Sequence, residues 1–204
     1  MSRAYPVTYL LMLINILVFI AGYSVGQDNI FEMGAMYGPN VAHGQWYRLL
    51  TSGFIHSGFA HIAVNMMSLY FMGSFTEGAM GKARMFLVYL GSLIASGAAI
   101  YYFSYDMPTV GASGAIFGLF GALFAIGIRT GAQGRQLIQQ AFPILAINLA
   151  FTFFVPGISK AGHLGGLLAG FLLGLLLYHP PRPVYAQVVD TNTGEALESH
   201  IETP

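Results

Sequence analysis

Six apolar stretches, each close to twenty residues long, occupy most of this chain: Val7 to Val25, Ala60 to Met80, Met85 to Phe103, Ala112 to Ile128, Leu137 to Val155 and Ala161 to Tyr178. About 20 apolar residues wound as a helix match the ~30 Å of hydrocarbon in a bilayer. Backbone polar groups at that depth are satisfied only in helices or closed barrels. The pattern predicts an all-α membrane protein, a bundle of six transmembrane helices with a short fourth helix. Composition points the same way. Only 8% of residues are charged and 55% are hydrophobic, whereas a soluble domain carries about 25% charged residues. The first stretch is too long for a signal-peptide core and has no convincing cleavage site, so it is read as a permanent span.

Basic residues orient the spans. Arg3, Lys82, Arg84, Arg129, Arg135 and Arg182 fall at the N-terminus, in the second-to-third and fourth-to-fifth connections and in the tail, while Arg48 and Lys160 fall on the other side. The positive-inside rule then places both termini in the cytoplasm. Residues 1–179 form the membrane domain, with a long first loop over about 26–60. Residues 180–204, proline-rich and then acidic through Asp190, Glu195, Glu198 and Glu202, read as a short disordered cytoplasmic tail. A net charge of zero without a basic cluster argues against nucleic acid as a partner. The absence of cysteine removes disulfides, thiolate metal sites and a cysteine nucleophile.

This topology brings distant polar residues to one depth. Spans two, four and six all start on the non-cytoplasmic side. His61 and Asn65 lie near the start of span two, Ser113 near that of span four and His163 near that of span six. Ionisable groups at membrane depth are costly and mark functional sites by default. Gly162, Gly166, Gly170 and Gly174 recur every four residues along span six, and Gly114, Gly118 and Gly121 line one face of span four. Small residues so spaced let membrane helices approach closely. Ser113 and His163 are therefore expected within hydrogen-bond reach.

Span four runs to only about 25 Å at 1.5 Å per residue. The segment before it, with Asp106, Pro108 and Gly111, is expected to be extended. Irregular backbone at that depth must line protein or a water-filled cavity. Ser113 would then sit at a helix N-terminus, where free N–H groups and the helix dipole favour negative charge. His61 and Asn65, four apart, share a helix face and supply N–H donors suited to an oxyanion.

Taken together, these residues resemble the rhomboid family of intramembrane serine proteases. Four features carry the resemblance, from Trp46 to Gly170: Trp46-Tyr47-Arg48 in the first loop; His56, His61 and Asn65 around the start of span two; Gly111-Ala112-Ser113-Gly114; and Gly162-His163 followed by Gly166 and Gly170. The resemblance implies a serine endopeptidase in which Ser113 is the nucleophile and His163 its general base, a dyad without a carboxylate. It also implies an oxyanion site made by the Ser113 backbone N–H, His61 and Asn65. Glu77 agrees with the missing acid, since it lies roughly 24 Å along the helix from His61. Phe117, four residues after Ser113, shares its face and is expected to stack on His163 in place of the tyrosine common in the family. Trp46, Arg48, His56, Glu77, Gly111, Gly114, Gly166 and Gly170 read as structural.

On this reading the substrates are transmembrane proteins whose helices unwind near the outer face, the setting is the plasma membrane of a prokaryote, and no cofactor or metal is required. Span five, with Pro143, Asn148 and Pro156, is a candidate lateral gate. Two other classes stay open. A rhomboid-like binder without activity would share the fold, and a channel or transporter would also use intramembrane histidines. The sequence shows no internal repeat and no HExxH metal pattern.

Overall fold

Proline at the first position of helix α1 (Pro6–Val25) starts the fold where no backbone donor is lost. The computed structural model describes residues 4–180, 184–189 and 196–201. After α1 the first loop is folded into short helices, α2 (Gln27–Gly34), α3 (Gly38–Ala42) and α4 (Arg48–Thr51), and a 3-10 turn over Ser52–Phe54. The long helices follow: α5 (Phe59–Met80), α6 (Lys82–Phe103), α7 (Ser113–Arg129), α8 (Gly131–Phe154) and α9 (Lys160–Leu177). Each apolar stretch of the sequence is thus helical. Helix α8 starts six residues before Leu137 because the polar run 131–136 continues the helix without apolar signal.

Four helices are long and apolar enough to cross a bilayer on their own: Pro6–Val25, Lys82–Phe103, Gly134–Phe154 and Lys160–Leu177. The other two of the six expected spans, α5 and α7, fall outside that criterion of length and apolarity. Helix α7 is apolar but has only 17 residues. Helix α5 has 22 residues but carries His61, Asn65 and Glu77. Leu168, Leu172 and Leu176 form an exposed stripe at four-residue spacing on α9, and Leu10, Leu13 and Leu17, three and four residues apart, form another on α1. Such apolar faces have their place against acyl chains.

Helix α7 is the centre of the bundle. Residues 114–123 and 125–127 are all buried, the signature of a helix apolar on every side. Its contact with α9 is made by backbone. A Cβ at Gly166 would lie 2.0 Å from the Gly114 carbonyl oxygen, and one at Gly170 would lie 1.9 Å from that of Gly118. On the opposite face Gly114 and Gly118 accommodate Ser96 and Ser92 of α6.

The segment before α7, expected to be extended, turns at 104–107, where Met107 N donates to Ser104 O at 3.0 Å, and runs on without helix over 108–111; the first loop binds both parts. Thr109 and Met36 exchange backbone bonds of 2.8 and 2.9 Å, Gly38 N donates to Tyr105 O at 3.0 Å, and Gly111 N donates to Ser52 O at 2.9 Å. Arg48 holds that loop together: buried, it donates to the carbonyls of Ala35 (2.8 Å) and Glu32 (2.5 Å) and to Gln45 Oε1 (2.6 Å). Trp46 is 59% exposed beside Tyr101. Glu77 of α5 caps α1 from outside. Its carboxylate accepts from Val7 N (3.1 Å), Thr8 N and Thr8 Oγ1 (both 2.8 Å), which places negative charge at a helix N-terminus.

Two segments of the C-terminal tail lie within the described residues. Val184–Val189 and Ala196–Ile201 pair as an antiparallel hairpin, β1 and β2, with Val184 opposite Ile201. Both segments contain β-branched residues, which favour strands.

Candidate active site

The start of α7 and the start of α9 lie side by side because the glycine contact described above permits it. Ser159 caps α9, its hydroxyl accepting from Gly162 N at 3.1 Å, and His163 follows within the first turn. His163 Nε2 lies 2.8 Å from Ser113 Oγ. Ser113 is half-buried and His163 is buried. The Phe117 ring stacks on the imidazole with centroids 4.2 Å apart and planes 16° from parallel. Burial and stacking together restrict the imidazole to one orientation.

A third contact was not anticipated from sequence. Thr152 of α8 places Oγ1 2.8 Å from His163 Nδ1 and donates to the Asn148 carbonyl at 2.7 Å. It occupies the place that a carboxylate takes in a Ser-His-Asp triad. Its only trace in the sequence is a single hydroxyl in the run Leu149-Ala150-Phe151-Thr152-Phe153-Phe154.

His61 approaches from the other side of Ser113. Its Nδ1 accepts from Ser57 N at 3.4 Å and lies 3.0 Å from Ser57 Oγ, an arrangement that leaves the ring proton on Nε2. That nitrogen faces Gly111. A Cβ at Gly111 would stand 2.8 Å from His61 Nε2 and 3.8 Å from Ser113 Oγ, so position 111 separates the two side chains by the width of one methyl group. Its φ of +121° also favours glycine. Asn65, buried one turn further along α5, uses one N–H on the His61 carbonyl at 2.9 Å. His56 packs its ring edge against His61 at 5.0 Å and is 1% exposed. Burial above all, reinforced by His61, pushes its pKa down to about 4, so it stands there neutral.

Two spaces adjoin these residues. A cavity of about 20 Å³ is lined by Ser52, Ser96, Thr109, Ser113, Ser159 and His163 among others, which is room for one water among polar partners. A wider groove of about 390 Å³ runs between residues 104–109 and 153–160 and shares Thr109 and Ser159 with the cavity. Among the described residues, no three His, Asp or Glu side chains converge as a metal site would require. The arrangement has the chemical parts for proton transfer between a hydroxyl and an imidazole beside N–H donors, at the edge of a lipid-facing bundle.

Fold and pocket thus define a helical integral membrane protein with a partly buried serine–histidine contact. The Rhomboid domain family model matches residues 43–180. Rhomboid protease GluP of Bacillus subtilis is 37% identical over 178 residues, covering 85% of this chain and 35% of that protein. The putative rhomboid protease YdcA of the same organism is 35% identical over 178 residues, 85% of this chain and 89% of its own length. Rhomboid-type serine protease 2 of Emericella nidulans is 32% identical over 162 residues, 76% of this chain and 31% of that protein. The chain belongs to the rhomboid family. It spans about a third of the length of GluP and of the fungal relative, and most of YdcA.

Proposed function

We propose that this protein is an intramembrane serine endopeptidase that hydrolyses peptide bonds in or near the transmembrane segments of other membrane proteins. The observation that carries the reading is the 2.8 Å contact between His163 Nε2 and Ser113 Oγ at the N-terminus of a buried helix. Relatives named as proteases support it.

Ser113 Oγ attacks the substrate carbonyl carbon while Nε2 of His163 takes the hydroxyl proton. The carbonyl oxygen, now negative, is held by the Ser113 backbone N–H, by His61 Nε2–H and by the second N–H of Asn65. Donors already in place at a site shielded from bulk water are worth far more than the same donors in water. Collapse breaks the C–N bond, and Nε2–H protonates the leaving amine. A water, deprotonated by Nε2, then attacks the ester, and Ser113 leaves with the proton returned to it. The small cavity beside Ser113, with serine hydroxyls among its apolar lining, suits that water.

The substrate must first expose a carbonyl. A helix hides its carbonyls in its own bonds, so segments with glycine or other weak helix formers near the membrane boundary are the preferred ones. The groove between residues 104–109 and 153–160 is the route of entry. Helix α8, the least buried of the four long apolar helices and carrying Pro143 inside it, is the mobile wall. In the membrane, α5 and α7 join the four long apolar helices to make six spans, with both termini cytoplasmic and the protein in the plasma membrane of a prokaryote. Helix α5 carries its polar residues inward, with Asn65 and Glu77 both buried, and this makes it compatible with lipid outside.

The test is cleavage of a reporter transmembrane segment by the purified protein in liposomes. Ser113→Ala and His163→Ala should each lower the rate by at least about 10³-fold. Undiminished cleavage by both would end the protease assignment at this site. A parent protein that binds such segments without cutting them would be an inert binder.

A further inference from the structure

Thr152 is the one polar partner of His163 that the reaction above leaves unused. A hydroxyl has one proton to give and lone pairs to receive. Thr152 Oγ1 lies 2.7 Å from the Asn148 carbonyl oxygen and 2.8 Å from His163 Nδ1. A carbonyl only accepts, so the Thr152 proton goes to Asn148. What Thr152 presents to the imidazole is a lone pair, and Nδ1 must bring the proton. A neutral imidazole carries a single N–H. Nε2 is therefore bare, and at 2.8 Å from Ser113 Oγ it can only accept.

We propose that Thr152 is a positioning residue for His163. It selects the Nδ1–H tautomer and so leaves Nε2 aimed at Ser113 as a base. This rests on the reading of Ser113 and His163 as the catalytic pair. Side-chain placement on α8 supports it. Phe151, Phe153 and Phe154 are 58%, 48% and 84% exposed, while Thr152 between them is 0% exposed and is the residue of that run turned into the bundle. A hydroxyl also suits the place chemically. It gives the imidazole direction without the desolvation penalty that a carboxylate would bring to this depth. When Nε2 takes the Ser113 proton, the same lone pair faces a cationic N–H, and such charge-assisted bonds are the stronger kind. The contact further ties the base on α9 to the helix proposed as the mobile wall.

The experiment compares the parent with Thr152→Val, which keeps the shape and loses the hydroxyl, and with Thr152→Ser, which keeps the hydroxyl. Reporter cleavage in liposomes and labelling by a serine-reactive phosphonate are both measured, with Ser113→Ala beside them. Thr152→Val should lower kcat about tenfold with KM within about twofold, and slow labelling by a similar factor. Thr152→Ser should recover most of the loss. Parental kcat in Thr152→Val, a loss confined to KM, or a serine variant as slow as the valine one would each overturn the proposal. If the valine variant does not fold, nitrogen-15 spectra of the parent's histidines decide it: a proton on Nδ1 of His163 is expected, and a proton on Nε2 overturns it. Should Ser113→Ala cleave like the parent, the dyad reading itself has failed. An inactive Ser113→Ala beside a fully active Thr152→Val removes only the role of Thr152.

Discussion

Gly111 shows how much of the site hangs on a single residue. Its missing side chain sets the separation between His61 and Ser113, and its φ of +121° is one that L side chains rarely adopt. Gly111→Ala would drive a methyl group to within 2.8 Å of His61 Nε2. The imidazole must then move. Displacing a positioned donor by about 1 Å can cost about 10²-fold, so kcat for reporter cleavage should fall by at least about tenfold, with the variant also less stable in thermal unfolding. His56 acts at the same scale through pH. Its pKa is about 4 in the folded protein against roughly 6.5 when unfolded. Between those values the unfolded chain binds more protons, so the stability attached to a neutral His56 is complete above pH ~6.5 and is lost as pH falls towards 4. The full effect is about 3 kcal/mol. Denaturant unfolding of the parent should weaken across that window, and His56→Leu should flatten the slope.

At the scale of elements, the α7–α9 contact decides whether the two polar side chains meet. It is made of backbone against backbone, with no slack for a methyl group at Gly166 or Gly170. Gly170→Ala should therefore destabilise the protein by about 1–3 kcal/mol, the usual cost of overpacking. It should also lower cleavage, because α9 carries His163. Gly58 is the control. A Cβ there meets nothing within 4 Å and the backbone is extended, with φ of 169°, so Gly58→Ala should stay within about 0.5 kcal/mol of the parent. Thermal unfolding of both variants in one detergent checks the contrast.

For the whole molecule, two charged side chains tie together segments that lie apart in sequence. Glu77 binds α1 across 69 residues through Thr8, and Arg48 ties the first loop to the carbonyls of Glu32 and Ala35. Glu77→Gln keeps the size and removes the charge from the α1 N-terminus. It should lower stability by about 1–2 kcal/mol while the KM for a reporter segment stays near the parent's, a distinction that unfolding and cleavage assays read separately.

The sequence by itself determined the helices. Hydropathy and glycine spacing are local records of what lipid and close packing demand, and they sufficed to bring Ser113 and His163 together, whereas Phe117 was set beside them by its place four residues after Ser113 and by the family resemblance. Folding of the first loop, the hairpin at the C-terminal end and the contact between Thr152 and His163 were settled only in three dimensions. A lone threonine in an apolar run has the same local signature whether it bonds its own helix or faces an imidazole on the next. Which it does depends on the rotation of α8 about its axis, and that is set by packing across the whole bundle.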